Sequence, residues 1–186
     1  PSKVKEISFG NYARKLSKVT ALTIPGSVKN FDGSLQYMTA LETLTFEEGV
    51  VEISGYSIVS GCSNLTTINL PSTLKKLSQS GTFSNATALT TITLPNGIEN
   101  TLPEGIEITQ GSTFSGCTAL QEIELPASIT KINDRMFAGC TSLQKVTAKG
   151  TITEIGNDAF GTSSDSWGTK TYKDENLVEI PDLSHV

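Results

Sequence analysis

The strongest constraint on this chain is a phrase that it keeps restating. Leu65 to Pro71, Leu89 to Pro95 and Leu120 to Pro126 all read L-x-x-I-x-L-P, and weaker copies begin at Val4, Val19, Leu41 and Leu143. Successive starts lie 15, 22, 24, 24, 31 and 23 residues apart, and Leu177-Val178-Glu179-Ile180-Pro181 is a partial eighth copy. Self-similarity at a period of roughly 20–50 residues marks a stacked array, in which each unit buries its apolar face against the next. The expected fold class is therefore a repeat solenoid, mostly β, of about seven coils.

Each unit has three parts. The L-x-x-I-x-L stretch alternates at period two, which sends Ile68 and Leu70 inward and Thr67 and Asn69 outward from a strand. Proline then ends the strand, because it has no N–H to give a ladder. A second apolar pair follows, as in Leu74 and Leu77, Ile129 and Ile132, or Ile152 and Ile155. Last comes a turn, expected to be a short 3-10 or helical segment, plugged by Phe83, Phe114, Phe137 or Phe160. Two residues beyond the plug position stand Gly61, Asn85, Gly116 and Gly139. Glycine and asparagine tolerate positive φ, so this position is read as a left-handed residue closing each coil. An isolated coil has too few inward side chains to offset the entropy of ordering its backbone. Neighbouring coils must therefore share a core and a parallel strand ladder.

The phrase F-x-G-C-T-x-L, found at Phe114 to Leu120 and Phe137 to Leu143, adds a second signature. Joined to L-x-x-I-x-L-P, it resembles the BspA-type leucine-rich repeats of bacterial and protozoan surface proteins, over about residues 4 to 160. The resemblance implies a right-handed leucine-rich-repeat superhelix, extracellular or cell-surface-anchored, with some members acting as adhesins towards host matrix proteins or other microbes. It implies no catalytic residues and no cofactor, and family binding residues vary too much to carry over. The chain departs from the pattern in its short first interval, in the long 98–111 stretch and in residues 161–176. The expected organisation is a solenoid over residues 1–160 followed by a C-terminal cap and partial last coil over 161–186, one domain in all. A start at Pro1 without Met is read as the mark of a fragment, with any signal or anchor elsewhere in a longer chain.

Composition removes several classes of function. With 14 Lys and Arg against 19 Asp and Glu, the formal net charge is −5. Nucleic acid is disfavoured as a partner, because phosphate binding needs a basic stripe. No apolar run approaches the roughly 18 residues that span a bilayer, so no transmembrane segment is expected. The only His, His185, is the penultimate residue, beside Val186, a poor place for a preorganised base. No phosphate-cradling glycine loop occurs.

The natural binding surface of such a stack is its outward strand row. That row reads Glu6 and Ser8, Ala21 and Thr23, Thr43 and Thr45, Thr67 and Asn69, Thr91 and Thr93, Glu122 and Glu124, then Lys145 and Thr147. The ten residues from Thr43 to Thr147 form the candidate binding face. The plainer reading is that Thr is simply a good polar residue for an exposed strand. Regular Thr-x-Thr rows also suggest an ice-binding array, but Asn69, Glu122, Glu124 and Lys145 break it. Glu122 and Glu124 would stand about 6–7 Å apart on one strand face, near the separation used by inverting glycosidases. A polysaccharide-active β-helix would need a cleft and an aromatic platform, and the row holds no Trp, Tyr, Arg or His.

Cys62, Cys117 and Cys140 occupy one repeat slot, filled by Ala86 and Met38 in other copies. A slot that accepts Ala, Met and Cys is a small apolar core position, which favours reduced thiols over metal ligands or a Cys117–Cys140 bridge. The extra residues near 98–111 are weighed as an outer rim of the binding face against plain drift. Thr162 to Asn176, with Trp167 and Tyr172, is weighed as a cap against a binding loop. These observations favour a non-enzymatic extracellular recognition or adhesion module for proteins or glycans of host matrix or other microbes. The alternative is a structural stalk that presents another domain.

Overall fold

The structure, a computed structural model, describes residue 16 and residues 18–77, 79–95 and 111–161. Over that span the chain winds into a solenoid with three sides. The front carries β1 (Ala21–Ile24), β3 (Thr43–Phe46), β5 (Thr67–Asn69), β7 (Thr91–Thr93), β8 (Glu122–Leu125) and β10 (Lys145–Ala148). The back carries β2 (Asn30–Phe31), β4 (Glu52–Ile53), β6 (Lys76–Leu77), β9 (Lys131–Ile132) and β11 (Glu154–Ile155). Every strand pairing is parallel and joins neighbouring coils, with Thr43 opposite Ala21 and Thr67, and Glu122 opposite Thr91 and Lys145. The six front strands bound about five turns among the described residues, not seven. The expected copies at Val4 and Leu177, like the cap over 162–186, lie outside the described residues.

Alternation along the strands builds the interior. Leu44, Ile68, Ile92, Ile123 and Val146 point in from the front, and Phe31, Ile53, Leu74, Ile129 and Ile132 from the back, all within one cluster. Phe83, Phe114, Phe137 and Phe160 fill the third side as a column with ring centroids 5.9, 5.7 and 5.5 Å apart and nearly parallel planes. In the first coils Leu35 and Val59 hold the plug position, and Phe31 instead meets Phe46 edge-on at 5.5 Å.

The third side is not helical, contrary to the sequence expectation of 3-10 or helical turns. The reason lies in how its N–H groups are used. Ser115, Cys117, Ala138 and Cys140 bond locally to residues three back, while Phe114, Gly116, Phe137 and Gly139 between them donate to the next coil. Left-handed residues also interrupt the run. The slot read from sequence holds Gly61, Asn85, Gly116 and Gly139 at φ 77°, 57°, 74° and 73°, and Tyr37 fills it at 64° in the preceding coil. A second left-handed slot, four residues earlier, contains Ser57, Gly81, Ser112, Arg135 and Asp158. Two sign reversals per turn leave no room for a continuous helix.

The three cysteines are free and buried. Each thiol donates to the plug carbonyl one coil earlier: Cys62 to Leu35 at 3.2 Å, Cys117 to Phe83 at 3.3 Å and Cys140 to Phe114 at 3.2 Å. Burial pushes the Cys62 thiol up to about 11 and the Cys140 thiol up to about 12. These are inert core positions, since the reactive form is the thiolate.

Candidate functional site: the strand face

All ten residues of the candidate binding face lie on the front strands. Thr67, Asn69, Thr91, Thr93, Glu122, Glu124 and Lys145 are exposed, while Thr43, Thr45 and Thr147 are half-buried. The parallel register aligns them into two rows. Thr43, Thr67, Thr91, Glu122 and Lys145 form one, and Thr45, Asn69, Thr93, Glu124 and Thr147 the other. The face is neutral as far as β7 and turns charged at β8 and β10. Glu124 is paired with Lys149 at 2.7 Å, and Asn69 donates from its carboxamide to the Thr45 hydroxyl at 3.0 Å. Thr43, Thr91 and Thr93 have no side-chain partner among the described residues. Threonines beside the face behave differently: Thr66, Thr118 and Thr141 donate to the main chain of the previous coil at 3.3, 3.3 and 3.5 Å. One residue type thus serves as staple at one repeat position and as open hydroxyl at another.

The front ladder has one interruption. It is bonded from β1 to β3 to β5 and again from β7 to β8 to β10, with no rung between β5 and β7 among the described residues. Over that seam the face opens into a groove of about 460 Å³. Its walls are Thr67, Asn69, Thr91 and Thr93, its floor Ile68 and Ile92, and its end Leu70, Ser72, Pro95 and Glu48. Pro95 explains part of the seam. In the first and last turns Glu47 N–H bonds Ile24 and Lys149 N–H bonds Leu125 at this point, at 3.0 and 2.9 Å. Proline cannot make that bond to Leu70. Pro71 and Pro126 lack it too, yet their ladders hold over three residues, so proline alone does not open the seam.

Glu48 was not among the residues singled out from sequence. It reaches along the face to Ser72 of the next coil, accepting from its N–H at 2.8 Å and from its hydroxyl at 2.9 Å. Those bonds, the backbone one first, hold the Glu48 carboxyl below its ordinary range, so it stands charged at the end of the groove. Of the missed residues, Glu48 and Ser72 follow the strand phrase, while Thr66 and Pro95 stand at its two ends, outside the strands themselves. Their signal was the phrase's fixed exit onto the next coil. Glu122 and Glu124 do not line the groove.

The repeat itself ties the chain to known proteins. The model of the BspA-type leucine-rich repeat region matches residues 5–102 and 99–178, as six copies. The chain belongs to the BspA-type leucine-rich-repeat family. Among solved structures, a leucine-rich cell surface protein from Faecalibacterium prausnitzii A2-165 is 26% identical with a TM-score of 0.59, covering 72% of this chain and 33% of that one. A leucine-rich repeat protein of T. pallidum is 18% identical with a TM-score of 0.47, covering 74% of this chain and 73% of that one. One from Eubacterium ventriosum is 15% identical with a TM-score of 0.40, covering 85% and 63%. This chain thus spans about a third of the F. prausnitzii structure. No curated protein matches it. No helix among the described residues is long and apolar enough to cross a membrane.

Proposed function

We propose that this BspA-type solenoid is a non-catalytic recognition module of a bacterial cell-surface or secreted protein, binding macromolecules through its front strand face. The observation that carries the reading is a broad, largely exposed face from Thr43 to Thr147, with the Thr43, Thr91 and Thr93 hydroxyls unengaged among the described residues and a groove at its centre. A strand face committed only to stacking would close its ladder and satisfy its side chains across coils, as the threonines beside it do. The description of the F. prausnitzii relative as a cell surface protein supports the location. Family membership supports binding over catalysis, and Glu122 and Glu124 stand on open face outside the groove. Candidate partners are proteins or glycans of host matrix or of other microbes.

The test is binding of the purified chain to arrays of matrix glycoproteins and glycans, at low and high salt. Saturable binding that weakens in Glu122→Ala, Glu124→Ala or Lys145→Ala variants is expected for a partner spanning the charged end of the face. Absence of saturable binding to either class overturns the reading and leaves the solenoid as a spacer for another domain.

A further inference from the structure

We propose that the groove over the β5–β7 seam is a binding site for a neutral oligosaccharide, an assignment that rests on the strand face being a recognition surface. The seam frees main-chain groups as well as side chains. In a parallel ladder the N–H and C=O of one residue point to the same side, alternating along the strand. Thr67 N–H donates backwards to Glu42 at 3.1 Å, so the amide groups of Ile68 face β7. Thr90 C=O accepts from Gln121 N–H at 3.1 Å, on the β8 side, so Thr91 and Thr93 turn theirs back towards β5. No rung joins these two sets among the described residues, although both border a groove open to ligand.

The chemistry of the lining selects the ligand. The Thr91 and Thr93 hydroxyls can both donate and accept, as sugar hydroxyls do, while the hydroxyls of Thr66, Thr67 and Ser72 and the carboxamide of Asn69, bonded within the protein, keep lone pairs to accept with. Ile68, Ile92 and Pro95 offer an apolar surface to the C–H face of a pyranose ring. Glu48, already charged, can accept O–H bonds from a vicinal diol, the stronger charge-assisted kind. Among the described residues no Lys or Arg lines the groove, which offers sulfated, phosphorylated and uronate ligands no counter-charge there. The volume of about 460 Å³ lies within the usual range of small-ligand sites.

An inserted peptide strand fits less well. Pairing with both edges would hold β5 and β7 about 9–10 Å apart, whereas their Cα atoms lie within 8 Å of one another. The seam is therefore too narrow for strand addition, which leaves the outward side chains of the groove as the contacts for a ligand.

The experiment titrates the full chain, by calorimetry and by amide NMR, with neutral di- to tetrasaccharides of glucose, galactose, mannose and N-acetylglucosamine. A heparin fragment and an extended lysine-containing peptide serve as comparators. Saturable binding of at least one neutral sugar is expected, with shifts centred on Thr67, Ile68, Thr91 and Thr93. Thr93→Arg, which fills the groove, should weaken it more than tenfold, and Glu48→Gln by roughly tenfold, while Glu154→Gln, on back strand β11, leaves it unchanged. Shifts at these residues only with the peptide, or sugar binding indifferent to Thr93→Arg, overturn the assignment. If no neutral sugar binds but array binding depends on Glu122 or Lys145, the recognition face stands and the groove assignment falls.

Discussion

The coil of β5 and the coil of β7 are joined in opposite ways on two sides of the solenoid. On the third side Gly81, Phe83 and Asn85 donate their N–H groups to Gly111, Thr113 and Ser115 at 3.3, 2.9 and 2.7 Å. Phe83 and Phe114 stack beneath them, centroids 5.9 Å apart. On the front, the same two coils have no rung between them. The stack therefore does not depend on a continuous front ladder at every junction. Among the described residues its cohesion at this junction comes from the turn side and the interior, which leaves the strand face free to vary in side chain.

The sharpest way to break that contrast is to damage the turn side. Phe114 is fully buried between Phe83 and Phe137. Phe114→Ala removes both stacking contacts and leaves a cavity, at a cost of about 3–5 kcal/mol, read from the urea midpoint. A loss below about 1 kcal/mol would show that the column is not what holds the coils together.

A smaller effect comes from the left-handed slot. At Gly116, φ is 74°, and an added Cβ would run into the carboxamide oxygen of Asn85, which occupies the same slot one coil earlier. Gly116→Ala should cost about 2 kcal/mol, whereas Asn85→Gly should change stability by less than about 1 kcal/mol. Thermal unfolding of the pair checks the slot itself. Equal effects would mean that backbone conformation is not the cause.

The cysteine ladder gives a pH signature of the same side. The unfolded chain ionises its thiols near the ordinary value of 9.0, while burial raises Cys62 to about 11 and Cys140 to about 12 in the fold. Cys117 is also raised, by burial first and then by the neighbouring Cys140. The unfolded state therefore sheds these protons first. Stability is fully present below pH 9 and is lost as pH climbs from there towards 11–12. A variant with Cys62, Cys117 and Cys140 all changed to Ala should show a shallower alkaline decline in urea midpoint than the parent. Identical declines would show that the three thiols do not carry the sensitivity.

What was legible in the sequence follows the same division. The strand phrase located β5, β7 and β8 because Ile68, Ile92 and Ile123 alternate with polar residues at every copy. The left-handed slot was legible at Gly61, Asn85, Gly116 and Gly139 because only two residue types fill it there. Its companion, with Ser57, Gly81, Ser112, Arg135 and Asp158, was not, because the backbone reversal is imposed by neighbouring coils on whatever residue stands there. The expected helical turns failed for the same reason, since the N–H groups that a helix would use locally are taken by the next coil. The seam escaped notice for a different one. Leu65 to Pro71 and Leu89 to Pro95 differ at a single position, Asn69 against Thr93. Near-identical phrases carry no sign that the rungs between their two strands are missing.

The least costly substitution bears most directly on function. Thr91 and Thr93 are exposed and have no side-chain partner among the described residues, so Thr91→Ala with Thr93→Ala should alter stability by less than about 0.5 kcal/mol. The main chain beneath them should nonetheless be distinctive. Where a rung exists, as at Thr45 opposite Thr23 and Thr147 opposite Glu124, amide exchange waits on local opening. At Thr91 and Thr93 the groups facing β5 lack that protection, so their amides should exchange orders of magnitude faster than the laddered ones, although all lie on strands of one face. Slow exchange at both positions would mean that the seam closes in solution, and the groove with it. Fast exchange that slows on addition of a bound partner would place that partner on the main chain of the open seam.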